Sequence, residues 1–350
     1  MAALPSKPVG IYWETYYPVG GTRARVTLQP NPTEYPSGYY NVIFLFQALP
    51  TTPTGAVSFP LHASITQAQM NADIVTCRNR GQRVILTVGG ASAQVDITDL
   101  TKADAFVASI KSINVLLGGS GQTAAIDGVD FNSYEGIPAS GRWITYACLR
   151  LKAYYGSTFQ ITSPPSCTNY LNQRTLDRGV LAEMHAGGTY TGVDGTYTGT
   201  ALDWFCPQFY DGPGNNTSAQ VQDTLDFYNT SITIPLNNGN TNPISQIPRS
   251  KIGIGYRCDS NTYSWTTANA SAAYTTAVDT GKSPRGGFNF SANNNPTFTF
   301  ASVVAPVILE GESESGTLTT IQRIRNVLVT NIATIRGRAI AQVQSWRGKT

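Results

Sequence analysis

Asp127-Gly128-Val129-Asp130-Phe131-Asn132-Ser133-Tyr134-Glu135 is the stretch on which the fold turns. Apolar Val129 and Phe131 alternate with polar Asp130 and Asn132, which is the period of a β-strand. Successive side chains on a strand point to opposite faces. Asp130, Asn132 and Tyr134 therefore share one face, and Glu135 points to the other. The polar residues gather at the C-terminal end of the strand, as expected where a sheet carries a site.

Working outward, short apolar segments of the same kind recur at Val9–Trp13, Asn41–Phe46, Val84–Val88, Phe159–Ser163, Trp204–Tyr210, Ile252–Tyr256 and Gly287–Phe290. With Ile126–Phe131 they make eight strands. Helix-like stretches fall between several of them. Ile65–Gly81 and Lys102–Leu117 each carry an apolar stripe that stops at glycine, and Gly141–Tyr155 and Ser218–Tyr228 are further candidates. Eight strand–helix units over residues 1–295 predict an α/β fold of the (β/α)8 TIM barrel type. No Gly-x-Gly-x-x-Gly follows the first strand, which argues against a dinucleotide fold.

A barrel keeps its chemistry where the strands finish. The residues there are Trp13, Glu14 and Tyr16; Gln47; Gly89-Gly90; Asp130, Asn132 and Tyr134; Pro164-Pro165; Gln208, Tyr210 and Asp211; Tyr256; and Asn289. Rings and amides dominate. Aromatic faces pack on the C–H faces of sugars, and amides hydrogen-bond their hydroxyls. The candidate substrate-binding set is Tyr12, Trp13, Glu14, Gln208, Asp211, Tyr256 and Phe290.

Six segments in order resemble glycoside hydrolase family 18. The fourth strand of that family reads Asp-Gly-x-Asp-x-Asp-x-Glu, close to residues 127–135. RVILTVGGAS at 83–92 resembles its double-glycine third strand. TSPPSC at 162–167 and CPQFYDGPG at 206–214 resemble the fifth and sixth strands of plant-type class III chitinases. VGIYW and PRGGFNFS take the places of the first and eighth strands. The match runs over roughly residues 8–292. It implies N-acetylglucosamine glycans as ligands and a substrate-assisted hydrolysis, in which a glutamic acid protonates the leaving oxygen while the substrate's acetamido carbonyl attacks. It implies no cofactor and no metal.

Laid residue by residue on that motif, Asp130 falls on the middle aspartate and Tyr210 on the sixth-strand tyrosine. Asn132 replaces the aspartate that steadies the acetamido group, Tyr134 replaces the acid, and Phe290 stands for the eighth-strand tryptophan. A phenol with a reference pKa near ~10 is a poor proton donor at neutral pH. Two substitutes for the acid stay open. If Ser133 is an extra residue in a bulge, Glu135 swings onto the catalytic face; Glu14, at the end of the first strand, is the other. The sequence thus predicts a sugar-binding protein with lost or strongly reduced hydrolysis. The alternatives are an active chitinase or endo-β-N-acetylglucosaminidase working through Glu135, and a purely structural barrel.

Residues 296–350 read as an extension. Ile321, Ile324, Leu328, Ile332, Ile335, Ala339, Val343 and Trp346 recur in steps of three and four, the pattern of an amphipathic helix. Gly316–Thr350 holds six Arg or Lys and no acidic residue, against a net charge of +3 for the whole chain. The stripe suits an oligomerisation or docking helix, or the helix that closes the barrel.

The small net charge argues against nucleic acid as a partner, and no run of ~18 apolar residues predicts a membrane span. Charged residues make up 13% of the chain, about half the usual ~25%. The N-terminus, MAALPSKPVGIYW, lacks the basic and apolar regions of a secretory signal. These features predict an extracellular or particle-borne protein, a phage tail among the settings. Cys77, Cys148, Cys167, Cys206 and Cys258 are scattered without a CxxC pair, which predicts buried free thiols rather than a zinc site.

Overall fold

In a computed structural model the described residues are 4–15, 29–51, 54–90, 93–132, 141–165, 167, 180–230, 232–235, 241–244, 246–259, 262–293 and 298–310. Eight parallel strands form the barrel wall. They are β1 Val9–Glu14, β2 Val42–Pro50, β3 Arg83–Val88, β4 Gly128–Phe131, β5 Gln160–Ser163, β6 Trp204–Phe205, β7 Ile254–Tyr256 and β8 Gly287–Asn289. Hydrogen-bonded neighbours run β7-β8-β1-β2-β3-β4-β5-β6. Gly253 N donates to Phe205 O (2.8 Å), Gly255 N to Pro207 O (2.9 Å) and Phe209 N to Gly255 O (3.0 Å), joining the two end strands and closing the ring.

The sixth strand is shorter than the sequence predicts. Trp204–Tyr210 reads as one run, but regular pairing stops at Phe205 and resumes as a single bridge at Gln208. Pro207 interrupts it, because proline has no N–H to give to a ladder.

The helices are α1 Gln67–Asn79, α2 Leu100–Leu116, α3 Gly141–Tyr155, α4 at 180–186, α5 Ser218–Asn229, α6 Thr267–Asp279 and α7 Thr299–Glu310. Their starts are written locally. Thr66 accepts the Gln69 amide (3.2 Å) while the Gln69 side chain takes the Thr66 N–H (2.9 Å), a reciprocal cap that sets where α1 begins. Asp99 caps α2 by accepting Lys102 N at 2.8 Å. None of these helices is long and apolar enough to cross a membrane.

Apolar side chains divide into two sets by strand parity. Val9, Ile11 and Trp13 of β1, with Val129 and Phe131 of β4, face outward into the helix layer. Tyr12, Phe44, Phe46, Ile85, Trp204, Cys206 and Phe288 fill the barrel interior. A one-residue slip would exchange the two sets, so burial on both faces fixes the register. All five cysteines are buried, and none is joined in a disulfide. Burial pushes the Cys77 and Cys258 thiols up to about 12.

The β-branched, apolar stretch Thr299–Glu310 folds as α7, placing Phe300, Ala301, Val304, Ala305 and Ile308 in the outer core. Tertiary burial outweighs the weak helix propensity of its valines. The chain divides into two units, Met1–Leu309 and Glu310–Thr350. The first extends beyond the boundary at residue 295 read from the sequence. Of the second, only Glu310 is described, and the apolar stripe from Ile321 to Trp346 lies outside the described residues.

Candidate active site

The motif strand divides into a structural half and a chemical half. Asp127 accepts Val84 N at 3.0 Å, and its own N–H donates to Val84 O at 2.6 Å. Its second oxygen faces the Arg78 guanidinium of α1 at 3.4 Å. Asp127 thus ties the entry of β4 to β3 and α1, far from the mouth. Gly128 lies against the Gln160 carbonyl, where a Cβ would collide with backbone.

Asp130 points into the barrel and is 1% exposed. The sheet register places it between Thr87 of β3 and Thr162 of β5. Thr162 Oγ1 donates to its Oδ1 at 2.6 Å, and Thr87 Oγ1 to its Oδ2 at 3.1 Å. Tyr12 reaches across from β1 and donates its hydroxyl to Oδ2 at 2.7 Å. Burial raises the carboxyl to about 6 even though all three hydroxyls pull it down. Asp130 is therefore an acid that changes charge just below neutral pH.

Above this row lies the mouth. Asn132 N donates to Val88 O at 3.0 Å. The Asn132 side-chain carbonyl accepts Gln208 Nε2 at 3.0 Å, and Gln208 also donates to Pro164 O at 2.5 Å. Two amides are thus held together at the ends of β4 and β6. Tyr210 stacks on Phe290 with centroids 5.9 Å apart and planes 16° apart. Phe46 meets the same ring edge-on at 5.6 Å. Burial, reinforced by the Asp211 charge, pushes the Tyr210 phenol well above its ordinary value. It is a hydrogen-bond donor here, not a phenolate.

Charged residues complete the rim. Asp211 takes a left-handed backbone (φ 57°) and pairs with Arg257 Nη1 at 2.7 Å. Arg257 also holds Asp259 at 2.6 Å and lies over the Phe290 ring, 5.9 Å from its centroid. Glu14 follows Tyr12 on the inner face of β1 and is 8% exposed. Its carboxylate accepts the Ser291 hydroxyl, and Asn293 exchanges hydrogen bonds with its backbone, 3.3 Å each way.

The structure thus brings Tyr12, Glu14, Asp130, Asn132, Gln208, Tyr210, Asp211 and Phe290 to the inner face and mouth. Trp13 and Tyr256 require correction. Both are fully buried in the outer core, and Tyr256 packs against Trp265 and Phe300. Strand alternation turns them away from any ligand in the mouth. Asn289 also faces outward, accepting Cys258 N at 3.0 Å. Tyr16, Ser133, Tyr134 and Glu135 lie outside the described residues.

The sequence reading missed Thr87, Thr162, Phe46 and Arg257. Parity along β2 and β3 could have found Phe46 and Thr87. Arg257 had no such signal, because its role depends on where Asp211 and Phe290 arrive.

The buried Tyr256 hydroxyl has no hydrogen-bond partner. An unpaired buried hydroxyl costs roughly 1–3 kcal/mol. Tyr256→Phe is expected to unfold at the same or a higher temperature than the wild type and to leave ligand binding unchanged. A loss of binding in a calorimetric titration would restore Tyr256 to the site.

No protein-family profile matches the chain. A chitinase of Paenibacillus xylanexedens is 28% identical over 149 residues, which is 40% of this chain and 28% of that protein. The chain thus matches well under a third of that relative's length. The structure of a family 18 chitinase from Chromobacterium violaceum superposes with a TM-score of 0.65 at 18% identity, covering 89% of this chain and 85% of that one. A xylanase and α-amylase inhibitor protein from Scadoxus multiflorus superposes with a TM-score of 0.59 at 13% identity, covering 87% and 99%. The same barrel therefore occurs in a chitinase and in an inhibitor protein. From its strand order, its sealed ring and these likenesses, the chain has the chitinase-like TIM-barrel fold of glycoside hydrolase family 18.

Proposed function

We propose that the barrel mouth binds an N-acetylglucosamine-containing glycan and that hydrolysis is lost or strongly reduced. The observation that carries this reading is the Asn132–Gln208 pair. Where the family motif has the steadying aspartate, a neutral amide stands, held at 3.0 Å by a second neutral amide. Two amides, the Tyr210 hydroxyl and the Phe290 face can hydrogen-bond and stack on a sugar. They cannot supply the negative charge that a developing cationic intermediate calls for. Cell-surface glycans suit a protein carried on a larger assembly, such as a phage tail. The basic apolar stripe from Ile321 to Trp346 is the candidate attachment.

A second reading has its own support. Asp130 keeps three hydroxyl donors and a carboxyl that titrates near 6, a network suited to passing a proton to a neighbouring acid. If Glu135 is that acid, the protein is an active chitinase or endo-β-N-acetylglucosaminidase.

Calorimetric titration with an N-acetylglucosamine oligomer, paired with product analysis, separates the readings. Binding without cleavage is expected of the wild type. Cleavage that disappears in Glu135→Gln would overturn the first reading in favour of the second. Absence of binding leaves a purely structural barrel. Deleting Ser133 moves Glu135 to the family's acid position and is expected to bring hydrolysis above background.

A further inference from the structure

Between α4 and β6 the chain inserts Gly188-Thr-Tyr-Thr-Gly192, Val193-Asp194 and Gly195-Thr-Tyr-Thr-Gly199. The same pentapeptide stands on both sides of a two-residue turn. The two copies pair antiparallel in the register Gly188↔Gly199, Thr189↔Thr198, Tyr190↔Tyr197, Thr191↔Thr196 and Gly192↔Gly195. Gly-Thr-Tyr-Thr-Gly reads the same in both directions, so every residue meets its own kind.

Alternation gives the hairpin two unlike faces. Tyr190 and Tyr197 turn inward, where Tyr197 meets Tyr146 of α3 edge-on at 5.8 Å. Arg150 of α3 holds the turn through Asp194 and holds α2 through Asp104. Thr189, Thr191, Thr196 and Thr198 form the exposed face. Their hydroxyls pair across the strands at 3.1 Å, Thr189 with Thr198 and Thr191 with Thr196. Anchoring on α3 makes the hairpin a fixed platform.

A connection from a helix to the next strand emerges at the N-terminal end of a barrel, opposite the mouth. A platform there leaves the candidate sugar site open. Among the described residues neither strand pairs with any other strand. Sheet edges are ordinarily guarded by charge, proline or a bulge. The two pentapeptides contain none of these; the one charged residue, Asp194, sits in the turn.

We propose that the Gly195–Gly199 edge pairs with the same edge of a second copy of this chain, forming a two-fold dimer through a four-stranded sheet. A two-fold axis requires a surface that complements itself. Antiparallel pairing of this strand with itself sets Gly195 against Gly199, Thr196 against Thr198 and Tyr197 against Tyr197. That is the register the hairpin already shows between its own strands. The uncharged edges bring no like charges together, and the exposed threonine face continues across the axis. In the Gly195–Gly199 strand Gly195, Thr196 and Thr198 are exposed, and Tyr197 is half-buried where Tyr190 is buried. This proposal stands apart from the glycan reading and from the C-terminal stripe.

The test uses the full chain in sedimentation velocity over a concentration series. The wild type is expected to associate reversibly into dimers. In Thr196→Lys/Thr198→Lys, lysines face lysines across the axis, and at least a tenfold weaker association is expected. Thr196→Glu/Thr198→Glu is expected to behave the same way, and an equimolar mixture of the two variants is expected to dimerise again. These side chains are exposed, so circular dichroism and melting should match the wild type and exclude misfolding. A monomeric wild type, a lysine variant that associates as the wild type does, or a mixture that stays monomeric would each overturn the proposal.

Discussion

Asp130→Ala is expected to lose about 3 kcal/mol of folding stability at pH 5, whereas Asp130→Asn is expected to stay within about 1 kcal/mol of the wild type. Alanine leaves the hydroxyls of Tyr12, Thr87 and Thr162 without their shared acceptor inside the barrel. Each buried unpaired donor costs roughly 1–3 kcal/mol, and partial relaxation brings the sum below the additive limit. Asparagine keeps an acceptor of the same shape.

The two variants also separate on pH. The Asp130 carboxyl is raised to about 6 in the fold, against about 3.9 in the unfolded chain. Between those values the folded state holds more protons than the unfolded state, so this group's contribution falls as pH rises. The contribution is fully present below about pH 4 and lost by about pH 6. Two pKa units correspond to about 3 kcal/mol. Asn carries no such dependence, so Asp130→Asn is expected to gain about that much on the wild type between pH 4 and pH 7. Urea unfolding of both proteins at the two pH values measures the difference. An unchanged gap would mean that Asp130 is charged in the fold throughout.

Trp13→Ala is expected to cost roughly 3–5 kcal/mol, the usual range for removing a large buried ring. Trp13 is wholly buried among the outer core residues between strands and helices. A domain with a total stability of about 5–15 kcal/mol would melt far lower and could still fold at low temperature. The folded fraction is expected to bind N-acetylglucosamine oligomers as the wild type does, because the ring faces away from the mouth. Small stability loss with abolished binding would place Trp13 against the sugar after all.

Much of the barrel was legible because its signals are local. Eight apolar runs alternate with helix-like stretches. Thr66 with Gln69, and Asp99, mark helix starts with side chains next in sequence to the backbone they cap. The segment Thr299–Glu310 was not legible in the same way: valine favours strands in isolation, and only burial against the barrel makes it α7. The break in β6 was written plainly in Pro207, but the apolar run around it hid the interruption.

The site was legible in part. Asp130, Asn132 and Tyr210 could be placed by motif, and parity put Asp130 and Asn132 on a common face. The same parity, applied to β1 and β7, would have excluded Trp13 and Tyr256 from the mouth. Being aromatic at a strand end made them look like sugar-binding residues. Composition at a rim says which groups are near it; the two-residue alternation says which of them point into it.

Residue type and spacing along one chain were alone enough to locate the eight strands, to single out Asp130 and to show Asn132 where the family motif has a carboxylate. Only the tertiary structure decided that Thr87 and Thr162 flank Asp130, that Gln208 holds Asn132, and that Arg257 joins Asp211 to the Phe290 ring. Each of these pairs lies dozens of residues apart in sequence and meets only because the strands are brought side by side, or, for Gln208 and Asn132, one strand apart. The strand register is a property of the closed barrel, set by burial on both faces of every strand.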